Sequence, residues 1–89
     1  RACPGAAISP IASLTVSGRP AARFQVDCPR NEAGQPETFV LLAIAGERDM
    51  HVKQIAFRGA QRAADLAWAR SHLDRTVLCR QGDKQAACR

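Results

Sequence analysis

Phe39-Val40-Leu41-Leu42-Ala43-Ile44-Ala45 is continuously apolar, the pattern expected of a strand covered on both faces. Gly46-Glu47-Arg48-Asp49 follows as a turn. Met50-His51-Val52-Lys53-Gln54-Ile55-Ala56-Phe57 then returns as a second strand, with Lys53, Ile55 and Phe57 on one side, and Gly59 punctuates its end. The 39–45 run is thus the expected central strand of an antiparallel sheet.

Upstream, the polar loop Pro29-Arg30-Asn31-Glu32-Ala33-Gly34-Gln35-Pro36-Glu37 separates this pair from an earlier one. Ala22-Arg23-Phe24-Gln25-Val26-Asp27-Cys28 alternates cleanly: Ala22, Phe24, Val26 and Cys28 share one face, and Arg23, Gln25 and Asp27 share the other. Before it lies Ile11-Ala12-Ser13-Leu14-Thr15-Val16, closed by the turn signal Ser17-Gly18-Arg19-Pro20, so the two runs read as a hairpin. Phe24, Phe39 and Phe57 all fall in strand patterns and are expected in the core. Residues 1–10, with Pro4, Gly5 and Pro10, read as an irregular N-terminal arm.

Downstream, Ala60 to His72 contains no β-branched residue, Gly or Pro and reads as a helix. Ala63, Leu66, Ala69 and Leu73 share a face suited to packing on the sheet, whereas Trp68 stands off that stripe beside Ala64, His72 and Arg75. Thr76-Val77-Leu78-Cys79 is then an expected strand, with Gln85-Ala86-Ala87-Cys88 as a short candidate to pair back on it. The order is β-β-β-β-α-β. That is a small α+β domain over residues 1–89, mainly an antiparallel sheet of about four to five strands with one helix, and compatible with an OB-like barrel.

Composition adds a constraint. The chain has 89 residues, and its hydrophobic 46% includes 17 Ala and 4 Cys, so few large apolar side chains remain to build a core. A domain this small buries only ~60–65% of its unfolded surface, and a covalent staple is expected. Cys3, Cys28, Cys79 and Cys88 supply it. They contain no Cys-x-x-Cys pair, which argues against a zinc ribbon or a thioredoxin-like motif. Three disulfide connectivities are open; the local pairing, Cys3 with Cys28 and Cys79 with Cys88, is favoured because near neighbours meet most often. Oxidised cysteines imply a periplasmic or secreted setting and a mature, already processed chain. The longest apolar run is far too short to span a bilayer, and no transmembrane segment is expected.

Charge is uneven. Residues 46–89 carry nine basic and five acidic groups, net +4, against four and three, net +1, in residues 1–45. Such a basic half suits an acidic protein or a polyanion, nucleic acid included. There is no Gly-x-Ser-x-Gly elbow, no His-Glu-x-x-His helix and no Gly-rich phosphate loop, so neither a catalytic residue nor a cofactor is expected. Asp49, His51 and His72 could meet at a metal, but their spacing does not demand one, and no metal site is expected. The most informative constellation is the strip Trp68, His72 and Arg75, extended by Arg62 and Arg58, because Trp and Arg are the types enriched where binding energy concentrates.

Gly59, Ala63, Leu66, Leu73, then Arg75-Thr76-Val77-Leu78-Cys79 and Asp83 to Cys88, resemble the helix and following strand of secreted staphylococcal-nuclease-type domains. Those are OB folds, so the resemblance implies a barrel. The chain lacks the Asp-Gly-Asp-Thr and Asp-Ala-Pro-Glu stretches where that family keeps its metal-binding and catalytic groups, and no active-site residue carries over. The expected function is a small exported, non-enzymatic protein-interaction domain, such as an inhibitor, immunity or accessory protein, acting through its basic C-terminal half. The alternatives are an OB-like nucleic-acid or polyanion-binding module and, third, a degenerate nuclease-like domain.

Overall fold

A computed structural model describes residues 3–79 of the chain. In order they form β1 (Ala7–Ile8), β2 (Ala12–Val16), β3 (Arg19–Cys28), β4 (Glu37–Ala45), β5 (Met50–Arg58) and α1 (Ala63–Asp74). All five strands join one antiparallel sheet whose path is β1-β3-β4-β5, with β2 also paired to β3. This is the small α+β sheet with one helix that the sequence implies.

Local chemistry explains the joints. Between β2 and β3, Ser17 and Gly18 both take positive φ, +50° and +77°, the sign a two-residue type I′ hairpin turn needs to match the strand twist. At the β4–β5 turn the Gly46 N–H donates to the Asp49 carbonyl at 2.8 Å. The long β3–β4 loop is held by Asn31, whose Oδ1 accepts from the backbone N–H of Ala33 at 2.9 Å and of Gln35 at 3.0 Å. The helix begins at Arg62, whose backbone N–H donates to the Asp65 carboxylate at 3.0 Å. That contact satisfies one of the orphan donors at the helix start.

The core is one-sided. Residues directly opposite in adjacent strands share a face, and the register places Val40, Leu42 and Ile44 of β4 with Ile55 and Phe57 of β5 and with Leu14, Val16 and Ala21 of the first hairpin. Ala69 and Leu73 of α1 close over them, fully buried, with Leu66 and Leu78 packed at the margin. Ala63, expected on this stripe, is exposed, because the first residue of the helix stands beyond the sheet it covers.

Several expectations are corrected. The arm over residues 1–10 is not wholly irregular: Ala7 and Ile8 pair with Asp27 and Val26, and Ser9 exchanges hydrogen bonds with Gln25. Thr76-Val77-Leu78-Cys79 is not a strand. The Leu78 N–H donates instead to the Ser17 hydroxyl at 2.9 Å, so a side chain takes the bond a ladder would have taken. The strand implied by the nuclease-type resemblance is therefore missing over these residues. Among the described residues no strand pairs with the outer edge of β5, and the sheet is open there.

Of the cysteine pairings, Cys3–Cys28 is formed, with its Cα atoms 5.9 Å apart. The expected Cys79–Cys88 bridge and the strand over residues 85–88 lie outside the described residues. No described helix is long and apolar enough to cross a membrane.

The largest correction concerns β3 and β4. β4 is not covered on both faces: Thr38, Val40, Leu42 and Ile44 are buried, whereas Phe39, Leu41, Ala43 and Ala45 are only half-buried. Phe24 and Phe39, expected in the core, lie on the face turned away from α1, together with Ala22 and Val26. It is the polar face of β3 that looks toward the helix. Arg23 donates to Asp74 at 2.7 Å. At the other end the Gln61 amide donates to the Thr38 hydroxyl at 2.9 Å, Thr38 donates to Asp27 at 3.1 Å, and Gln25 donates to the same carboxylate oxygen at 2.9 Å. A satisfied chain of this kind holds the helix start and the sheet in one relative position.

Candidate functional site

Two surfaces differ from ordinary solvated exterior. The first is the outer side of α1. Trp68 projects from it 55% exposed, and its indole stacks on the His72 imidazole with ring centroids 5.2 Å apart and planes 18° from parallel. The spacing i, i+4 brings the two rings over one another on successive turns. Three residues on, Arg75 donates to the Ser71 hydroxyl at 2.6 Å, which steadies the guanidinium at the helix end. Around this group Ala64 and Ala67 are exposed and small, so the indole stands clear of its surroundings.

The structure stacks Trp68 on His72, sets Arg75 at the end of the same helix on Ser71, and leaves Arg62 and Arg58 apart from them. Arg62 is at the opposite end of the helix, 4.0 Å from Asp65. Arg58 ends β5 on the face away from α1, where its Nε lies 3.4 Å from the buried Glu37 carboxylate. The cations of the basic half are also partly neutralised in place. From the N-terminal half, Arg23 faces Asp74 and Arg19 reaches Glu47 at 3.0 Å. Lys53 donates to the Thr76 hydroxyl at 3.4 Å.

Asp49 and His51 approach to 3.5 Å across the β4–β5 turn, whereas His72 is committed to the Trp68 stack. Among the described residues no three His, Cys, Asp or Glu side chains gather closely enough to hold a metal ion.

The second surface is the uncovered side of the sheet, which the sequence reading did not single out. Register puts Phe24, Val26, Phe39, Leu41, Val52 and Met50 on it, with Ala22, Ala43, Ala45 and Ala56 between them and Ile8 at the margin. Met50 is 65% exposed, Val52 60% and Ile8 67%. Where the N-terminal arm is pinned by Cys3–Cys28, this face deepens into a groove of about 410 Å³ lined by Val26, Phe39, Leu41, Gln54 and Glu37. The signal was available in the alternation of β3. Period two states which residues share a face, not which face the helix will cover.

Compared with protein-family models, with curated proteins and with solved structures, the chain matches none.

Proposed function

We propose that this chain is a small, non-enzymatic protein-interaction domain, of the inhibitor, immunity or accessory kind, working in the periplasm or outside the cell and binding its partner through the outer side of α1. The observation that carries the reading is the exposed Trp68, stacked on His72 beside Arg75. In a chain with one Trp and three Phe, leaving the largest aromatic outside a thin core gives up burial that folding could use. Such an indole is a large contact surface whose ordering entropy is already reduced by the stack, and it sits among alanines with no rotamers to lose. Arg75 and His72 beside it suit a partner that offers an apolar pocket rimmed by carboxylates.

The exported setting is supported by the Cys3–Cys28 disulfide, a bond that persists in oxidising compartments. The alternative, an OB-like polyanion binder, draws on the net charge of +5. It has less behind it, because several arginines already face carboxylates and the described strands do not close a barrel.

The test is a paired capture from the native envelope or secretion with oxidised wild-type and Trp68→Ala bait. A partner protein held by the wild type, with affinity reduced about 30-fold or more in Trp68→Ala, is the expected result. A Trp68 fluorescence response to heparin or oligonucleotide that fades steeply with salt would instead transfer the reading to polyanion binding.

A further inference from the structure

We infer that the uncovered face of the sheet is a self-association surface, and that its occupant is a second copy of this chain stacked face to face. This does not rest on the Trp68 reading, since the two surfaces lie on opposite sides of the sheet.

Three observations select a second copy. The first is area. By strand spacing and rise, the face of β3, β4 and β5 with β2, less the end where Cys28 and Glu37 are buried beneath the arm and the loop, presents roughly 400–450 Å², so two copies would bury about 850 Å². That is the size of a weak, reversible interface rather than a permanent one. The second is composition. Phe24, Phe39, Leu41, Val52 and Met50 are interspersed with alanines, so ridges and hollows are both present on the same patch. That is what an isologous contact requires, because each copy must supply both halves of the fit. Two such faces can pack about 10 Å apart as the halves of a sandwich.

The third is charge. The chain carries net +5, a repulsion that would oppose self-association if the cations faced each other. On this face the charges are those of Arg58 and Glu37, paired with one another, with Glu32 of the β3–β4 loop beside them, all at one end. A two-fold axis running across the strands lays the Arg58 end of one copy over the Met50 end of the other, so like charges stay apart. A different protein would ordinarily be steered and oriented by complementary charge. The centre of this face offers none. In the resulting dimer both α1 helices point outward, with a Trp68–His72 stack on each side.

The test is sedimentation equilibrium on the full oxidised chain from low to high micromolar concentration. The expected result is reversible dimerisation to twice the 9.6 kDa monomer mass. Val52→Glu, at a site already exposed in one copy, should weaken the dimer about 30-fold or more by burying an unpaired carboxylate, with unchanged far-UV circular dichroism. Met50→Glu is the second variant should the first fail to fold, and Trp68→Ala should leave the dimer intact. A wild type that stays monomeric at 100 µM, as a test concentration of about that order, overturns the inference. So does a dimer indifferent to both glutamates, which would point to pairing along the open β5 edge, and so does a dimer broken by Trp68→Ala.

Discussion

Leu42→Ala is expected to lower the stability of the chain by about 3–4 kcal/mol, within the range for a fully buried leucine whose cavity cannot collapse. Leu42 is in the middle of β4, with none of its surface in water, enclosed by Ala69 and Leu73 above and flanked in the sheet by Arg23 and Lys53. Little nearby could refill the hole, since a rigid strand ladder lies beneath it and one short helix above. A domain of this size has about 5–10 kcal/mol in total, so a substantial part of it goes. Thermal unfolding by circular dichroism should show a fall in midpoint of about 15 °C or more. The matched change Leu41→Ala, on the uncovered face, should cost a fraction of that in the monomer. Equal losses at the two positions would contradict the one-sided core.

Removing the Cys3–Cys28 bridge is the second large effect. With a sequence separation of 25, loop-closure entropy gives about 3.5 kcal/mol for the crosslink. The double variant Cys3→Ala/Cys28→Ala should therefore lose stability comparable to Leu42→Ala, measured by urea unfolding. It should also do something Leu42→Ala does not. The bridge pins the arm that brings Ala7 and Ile8 to β3, a pairing of only two residues, too short to persist unaided. Hydrogen exchange at the Gln25 amide, bonded to Ser9, should speed up well ahead of amides in the β4–β5 ladder. If protection at Gln25 survives in the variant, the arm is held by something other than the disulfide.

The elements themselves were legible because their signals are local. The apolar run 39–45 lies inside β4, the stretch 50–57 inside β5, and the helix read from Ala60 to His72 is found as Ala63–Asp74. The nearest-neighbour cysteine pairing at the N-terminal end was legible for the same reason. What was not legible is which side of the sheet the helix would take. In β3 alternation separates an apolar set from a polar set, and the usual inference sends the apolar set inward. Here α1 is only twelve residues long and covers chiefly the even positions of β4. Its flanks carry Gln61 and Asp74, which meet the polar side of β3 at Thr38–Asp27 and at Arg23. These tertiary ion and hydrogen-bond contacts outweigh the local preference, and no window of sequence contains both partners.

The same distance problem explains Thr76–Cys79. Its β-branched start reads as a strand, but the partner it finds is one hydroxyl in a turn 61 residues earlier. Of the candidate site, the sequence isolated Trp68, His72 and Arg75 through helical spacing. It grouped Arg62 and Arg58 with them on charge alone, and the fold separates these.

The order of elements along the chain has a consequence for synthesis. The strands come first and pair almost entirely with their sequence neighbours, so the meander can assemble as soon as residue 58 has left the ribosome. Its only described lid, α1, is made last. For that interval a nascent sheet presents two greasy sides, Val40, Leu42 and Ile44 on one and Phe39 and Leu41 on the other, and it is stickiest just before it is finished. A chain built in this order gains from being held extended until its helix is complete.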